Sequence, residues 1–544
     1  MSYDVVIRGG SVYDGTGAEP AATDVAIAGD TIAHIGPLAN DDVAAAGTVV
    51  DATGLAVAPG FINVLSHSYL SMIKDPRSMG ELVQGVTTQL FGEGFSMGPV
   101  TDRTRALLAD ELGEDIPWTS LREYLLYMEN RGVTQNVASL VGATTLRMVG
   151  AGFDDRPMTD EELDRVKGVL ADEMTDGAFG VGSALIYPPG FYASTEELVE
   201  LASVAGRYGG TYFSHLRSEG DDWEKGVDEL LRISREGRLP AEVWHIKAAG
   251  RQNWPKMDPV LDTLEAARDA GEPISADMYP YTAGGTSLAA CVPPRYAVGG
   301  PDALRSRISD RSVRAEIAAA MATELGAGWE NLYLGCGGGE GVFMVTARAA
   351  NKSDEAAVSE ANALAGRTLS DYAKSVGLDP VDAALALIQR FDIGCMYFMI
   401  DESNIRKAIA RPWISVGSDA ASTAVPEGSG GEGTHPRSYG AFARFLGHYC
   451  RDQGLAPVAE GIRRMSGMPA ERLGIDRRGQ LRPGWFADVV VFDQAAFVDT
   501  ATYDNPHSYA RGMRDVFVNG VQTLKDGNHT GAFAGRALTG PGRR

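Results

Sequence analysis

Residues 211–250 read TYFSHLRSEGDDWEKGVDELLRISREGRLPAEVWHIKAAG. Two short β-rich runs, TYFSHL and AEVWHI, flank the helical stretch GVDELLRISREG, and each run leads into polar and glycine residues. The pattern repeats outward. Helix-like STEELVELASVAGRYG and PVLDTLEAARDAG lie among the strand candidates TTQLFGEG, PISADMYPY and WISVGSDA. Strand–helix alternation over several hundred residues predicts a parallel sheet, open or closed into a barrel. In a (β/α)8 barrel the active site is built from the strand ends, where these polar residues recur.

The two chain ends differ from this middle. YDVVIRGGSVYD, TDVAIAGDTIAHIG and GTVVDATGLAVAPG near the start, and GWFADVVVFD and MRDVFVNGVQTLKDG near the end, are strand-like with Gly, Asn-Gly and Asp-Gly turns. They predict one small β-domain from residues 1–58 and 475–544, around a barrel at 59–474. Residues 291–335 interrupt the rhythm and read either as an inserted cap over a cleft or as two ordinary barrel helices. VPEGSGGEGTHPRSYG, 425–440, reads as a mobile loop.

At 544 residues the chain suits a large catalytic domain with accessory parts. A net charge of −23 argues against nucleic acid and anionic membrane as partners. It leaves a small substrate open, because the local field of a cleft can oppose the global charge. Four dispersed cysteines form no disulfide framework and predict a reducing compartment. The first residues lack a basic segment followed by an apolar run, and there is no apolar run of about 18 residues. A cytoplasmic protein is expected; homo-oligomerisation stays open.

Of eight histidines, His34, His448, His507 and His529 read as structural. His67, His215, His245 and His435 lie near strand ends or loops. His215 and His245 end neighbouring candidate strands, and two imidazoles suit zinc, which accepts nitrogen ligands and keeps a position for water. Asp419 in WISVGSDA could move a proton to and from such a water, or simply cap a helix. Glu93 lies between glycines in FGEG, which allow close approach to a ligand. In APGFINVLSHSYLSM, residues 58–72, a His-x-His would put two imidazoles on one face, but its first position is Leu65.

Taken together, VAPGFINVLSHS, QGVTTQLFGEGFSMGP, SALIYPPGFYAS, FSHLRSEG, HIKAAG, DMYPYTAG, VGSDA, HPRSYGAFARFL and LRPGWFADVVVFD resemble the amidohydrolase superfamily, in its N-acyl-D-amino-acid deacylase branch. The resemblance covers nearly the whole chain. It implies a distorted (β/α)8 barrel with a β-sandwich from both termini, a zinc centre, and hydrolysis of the amide of an N-acyl amino acid. It implies that His215 and His245 bind metal and that Asp419 shuttles the proton. Lys247, Arg437 and Tyr281, or Tyr279 in place of Tyr281, match positions that grip the substrate carboxylate. Tyr187, Tyr192 and His435 fall in matching segments and are expected along the substrate cleft.

Two departures from the family pattern matter. Leu65 replaces the first histidine of His-x-His, and GEG replaces the Gly-Asn-Cys-Gly segment that carries a cysteine ligand. A carboxylate oxygen binds zinc at about the distance of an imidazole nitrogen. The expectation is therefore one Zn2+ held by Glu93, His215 and His245, with His67 free to orient water or polarise the carbonyl; other divalent metals also suit these ligands. Two alternatives remain at this stage. One is hydrolysis of a cyclic amide, carbamate or lactone; the other is an inactive scaffold.

Overall fold

The computed structural model describes residues 3–113, 115–361, 363–426 and 433–543; the centre of the expected 425–440 loop lies outside them. Eight short strands form the middle of the molecule: β1 (Phe61–Asn63), β2 (Val86–Phe91), β3 (Asn136–Ser139, resuming at Val141–Gly142), β4 (Gly180–Ala184), β5 (Thr211–His215), β6 (Ala241–Val243), β7 (Ile274–Met278) and β8 (Ile414–Val416). Each pairs in parallel with the next. A parallel bridge between Ser66 and Ala420, just past β1 and β8, closes the ring. The strands are buried on both faces, as a barrel covered by helices requires.

Helices α1 (Thr195–Arg207), α2 (Trp223–Gly237) and α3 (Met257–Asp269) fill the connections from β4 to β7. Ser194 starts α1 by accepting the Glu197 N–H at 3.1 Å. In α2 the buried Val227, Leu230, Leu231 and Ser234 follow the helical period, so one stripe faces the barrel.

Both chain ends build one sheet, nine-stranded among the described residues. Its seam is Ala56–Pro59 antiparallel to Val489–Phe492. Alternation divides the seam: Val57, Val489 and Val491 enter the sheet's own core, and Ala56, Ala58, Val490 and Phe492 face the barrel. The last residues leave the sheet and run under the barrel, where Leu538 N–H bonds Val137 O and Gly540 N–H bonds Gly177 O, both at 2.8 Å.

The excursion between β7 and β8 is larger than the 291–335 segment. Gly284–Ser287 pairs with Phe391–Tyr397, which pairs with Val342–Ala349, so residues on both flanks join one antiparallel sheet. The helices Pro301–Ser309 and Arg311–Thr323 belong to this excursion. It walls the mouth of the barrel, and its Thr286, Glu330, Leu332 and Tyr397 line the cavity there.

Candidate active site

A cavity of about 240 Å3 opens at the C-terminal ends of the strands. His67, Glu93, Tyr187, His215, His245, Lys247 and Asp419 line it, drawn from the ends of β1, β2, β4, β5, β6 and β8.

Glu93 is the hub. Its Oε1 lies 3.1 Å from His215 Nδ1 and 3.0 Å from His245 Nε2, and its Oε2 lies 2.9 Å from His67 Nε2. The flanking glycines make this reach available. Gly92 and Gly94 both have positive φ, and a Cβ on Gly92 would sit 2.4 Å from the Leu140 carbonyl oxygen. His67 Nε2 also meets Asp419 Oδ1 at 3.0 Å, and Asp419 Oδ2 pairs with Arg437 Nη1 at 2.7 Å.

Two of the central residues hold left-handed backbone, His245 at φ 37° and Asp419 at φ 49°. Such a conformation costs about 1–3 kcal/mol for a side chain of this kind and persists where the surroundings over-determine it. The buried Asp277 carboxylate accepts the His245 N–H at 3.0 Å, and the Leu65 carbonyl accepts the Asp419 N–H at 2.9 Å. Leu65 itself is buried in an apolar cluster with Val64, Leu90 and Trp244, so its side chain serves packing.

A second carboxylate stands behind the histidines. Glu219 meets His245 Nδ1 at 2.9 Å and Lys247 Nζ at 2.7 Å. His215 Nε2 lies 3.4 Å from it without hydrogen-bond alignment. Lys247 Nζ is also 2.7 Å from His245 Nδ1. A proton on Nδ1 directed at Glu219 frees His245 Nε2 as a lone pair and leaves Lys247 donating to Glu219 and, at 3.1 Å, to the His245 carbonyl.

The electrostatics call for positive charge at the centre. Burial and Lys247 oppose protonation of His245, but Glu219 and Glu93 raise its pKa to about 10. Burial opposes protonation of His67 as well, and Asp419 and Glu93 raise it to about 9. Burial works against the Glu93 carboxylate, yet the three imidazoles hold it well below the usual range. Protons on imidazoles or a metal ion can supply that charge. The donor atoms suit a metal: Glu93, His215 and His245 form one set, and His67, Glu93 and Asp419 another, with the atoms of each set within 4.8 Å of one another. A carboxylate gripping the far nitrogen of a ligating histidine is the usual support for such a site.

Four expected cleft residues, Tyr281, Tyr192, His435 and Arg437, do not line the cavity. Tyr281 is turned towards Gly440 and lies under the Arg444 guanidinium, 5.2 Å from its ring centre. Tyr279 lines the cavity instead, with Arg437 at 4.6 Å and Lys247 at 5.7 Å from its ring centre. Tyr192 donates its hydroxyl to Pro294 O at 2.7 Å, anchoring the excursion. His435 accepts the Arg437 N–H on Nδ1 at 3.0 Å, and its Nε2 meets Ala283 O at 2.9 Å, so it orients the Arg437 turn. Arg437 stands one layer behind the cavity wall, against Asp419. Glu219, Asp277 and Glu330 were missed by sequence reasoning; Glu219 was visible only as the acidic residue closing FSHLRSEG.

The chain belongs to the amidohydrolase family, whose model matches residues 48–528. It is 32% identical over 539 residues to a D-aminoacylase of Alcaligenes xylosoxydans xylosoxydans, covering 98% of this chain and 97% of that one. A solved D-aminoacylase with a binuclear metal centre, described as activated by one metal and attenuated by the second, superposes with a TM-score of 0.78 at 30% identity, covering 99% of this chain and 100% of the other. The N-acyl-D-glutamate deacylase of Bordetella bronchiseptica, solved with zinc and a phosphonate mimic of the tetrahedral intermediate, gives 0.79 at 29% identity with the same coverage. Among the described residues no helix is long and apolar enough to cross a membrane.

Proposed function

We propose that the protein is a metal-dependent deacylase of N-acyl-D-amino acids, with one Zn2+ held by Glu93, His215 and His245. The observation that carries this is the convergence of Glu93 Oε1, His215 Nδ1 and His245 Nε2 beside Asp419 in a cavity at the barrel mouth. The second donor set is the weaker one. It has a single imidazole, because Leu65 replaces the other, and its Asp419 is already paired with Arg437. When bound, the metal would polarise the amide carbonyl and make water acidic enough to attack near neutral pH.

The residues do the rest. Burial would raise the pKa of Asp419, but Arg437 and His67 lower it, so the carboxylate is ionised and ready to take the proton from the attacking water. It then returns that proton to the leaving nitrogen. His67, one-third exposed and bonded to Asp419, faces the developing oxyanion as a donor. Lys247 and Tyr279 receive the substrate carboxylate on the amine side. The four cysteines are free and buried, which supports a reducing, cytoplasmic setting.

The test is release of free amine from N-acetyl-D- and N-acetyl-L-amino acids by zinc-loaded protein. Turnover of the D series supports the reading. Turnover of a lactone or cyclic imide with none of either series refutes it.

A further inference from the structure

The excursion between β7 and β8 contributes one carboxylate to the cavity wall, Glu330. Its Oε2 accepts the Glu219 N–H at 2.9 Å. Its Oε1 is buried and has no hydrogen-bond partner among the described residues. An unpaired buried carboxylate oxygen is unfavourable by an amount that a ligand donor would relieve. Glu330 shares its wall with apolar groups, Leu332, Tyr397 and Met399, which suit the methylenes of a long side chain.

The charge in the cleft points the same way. Burial and the neighbouring Glu219 raise the pKa of Glu330 to about 7. A cationic side chain placed beside it would hold it ionised and pair with it, and an acidic one would add repulsion.

We propose that Glu330 is a specificity-determining residue that receives the side chain of the amino-acid half of the substrate, and that the preferred substrates carry a cationic side chain, a guanidinium or an ammonium. This deepens the deacylase reading and rests on it.

The experiment compares kcat/KM for N-acetyl-D-arginine, D-leucine and D-glutamate in zinc-loaded wild type and Glu330→Gln. Glutamine can still accept the Glu219 N–H, so the wall keeps its anchor. A hydrogen bond to a charged group changes kcat/KM by roughly 10- to 150-fold. The expected result is arginine preferred over leucine by at least about tenfold, glutamate poorest, and the arginine advantage lost in Glu330→Gln with leucine within about threefold of wild type. Leucine or glutamate preferred, or an arginine advantage that survives Glu330→Gln, overturns the proposal. Calorimetric binding of butylguanidinium to both proteins gives a readout that needs no turnover. If no N-acyl-D-amino acid is hydrolysed, the deacylase reading fails, and equal butylguanidinium affinity in the two proteins overturns the role of Glu330 separately.

Discussion

Replacing Glu219 by glutamine tests the support behind the histidines. The carboxylate is 2% exposed and serves His245, Lys247 and, at longer range, His215. Burial would raise its pKa, but Lys247 and the two imidazoles bring it down to about 2, so it is an anion at any working pH. Glutamine keeps the shape and loses the charge. Its amide nitrogen must face either Lys247 or a histidine, so at least one contact becomes donor against donor. Loss of such a support typically weakens metal binding by about 10- to 100-fold, or about 1.4–2.7 kcal/mol. Lys247 is left buried without its counter-charge, and breaking a buried pair in this way destabilises a protein by about 3–5 kcal/mol. Competition for zinc against a chromogenic chelator reads the first effect; urea unfolding of the metal-free protein reads the second. In wild type the zinc affinity also rises with pH, because the histidines must release protons to bind it. A Glu219→Gln protein that binds zinc within about twofold of wild type and unfolds at the same urea concentration would refute the reasoning.

Removing Arg437 by substitution with glutamine takes away the cation that helps hold Asp419 ionised, so the acid limb of the kcat/KM profile moves to higher pH; an unmoved limb contradicts Asp419 as the base. Leu65→Ala empties a packed position in the apolar cluster and destabilises by about 2–5 kcal/mol in urea, with zinc stoichiometry unchanged because Leu65 offers no donor. Glu81 is fully buried, which raises its pKa from 4.5 to about 8 despite contacts with Ser418 and Asn63. The folded state keeps this proton where the unfolded state has lost it, so stability falls as pH rises from about 4.5 to 8. Glu81→Gln lacks that term, and its stability, measured by urea unfolding across the window, falls less steeply than that of wild type.

The fold was legible where the chemistry is periodic. The strand–helix rhythm of 211–250 and the alternating β-runs of both ends are local patterns, and β5, α2 and β6 lie within them. His67, Glu93, His215, His245 and Asp419 could be singled out because each follows a strand candidate. The rest depended on long-range packing. Tyr279 and Tyr281 both follow β7, and the place of Tyr281 depends on Gly440, far away in sequence, where a Cβ would sit 2.4 Å from its hydroxyl. Glu330 reaches the cavity only because strands on both sides of its segment pair with each other. Gly284–Ser287 gave no strand signal, since its two glycines are disfavoured in strands and outweigh the single β-branched residue, Thr286.

The central claim is a single metal centred on Glu93, and elemental analysis of purified wild type and Glu93→Ala tests it most directly. The account predicts about one zinc per chain in wild type, and its loss, together with amide hydrolysis, in Glu93→Ala. Two metals per chain, or full zinc content in Glu93→Ala, would contradict it.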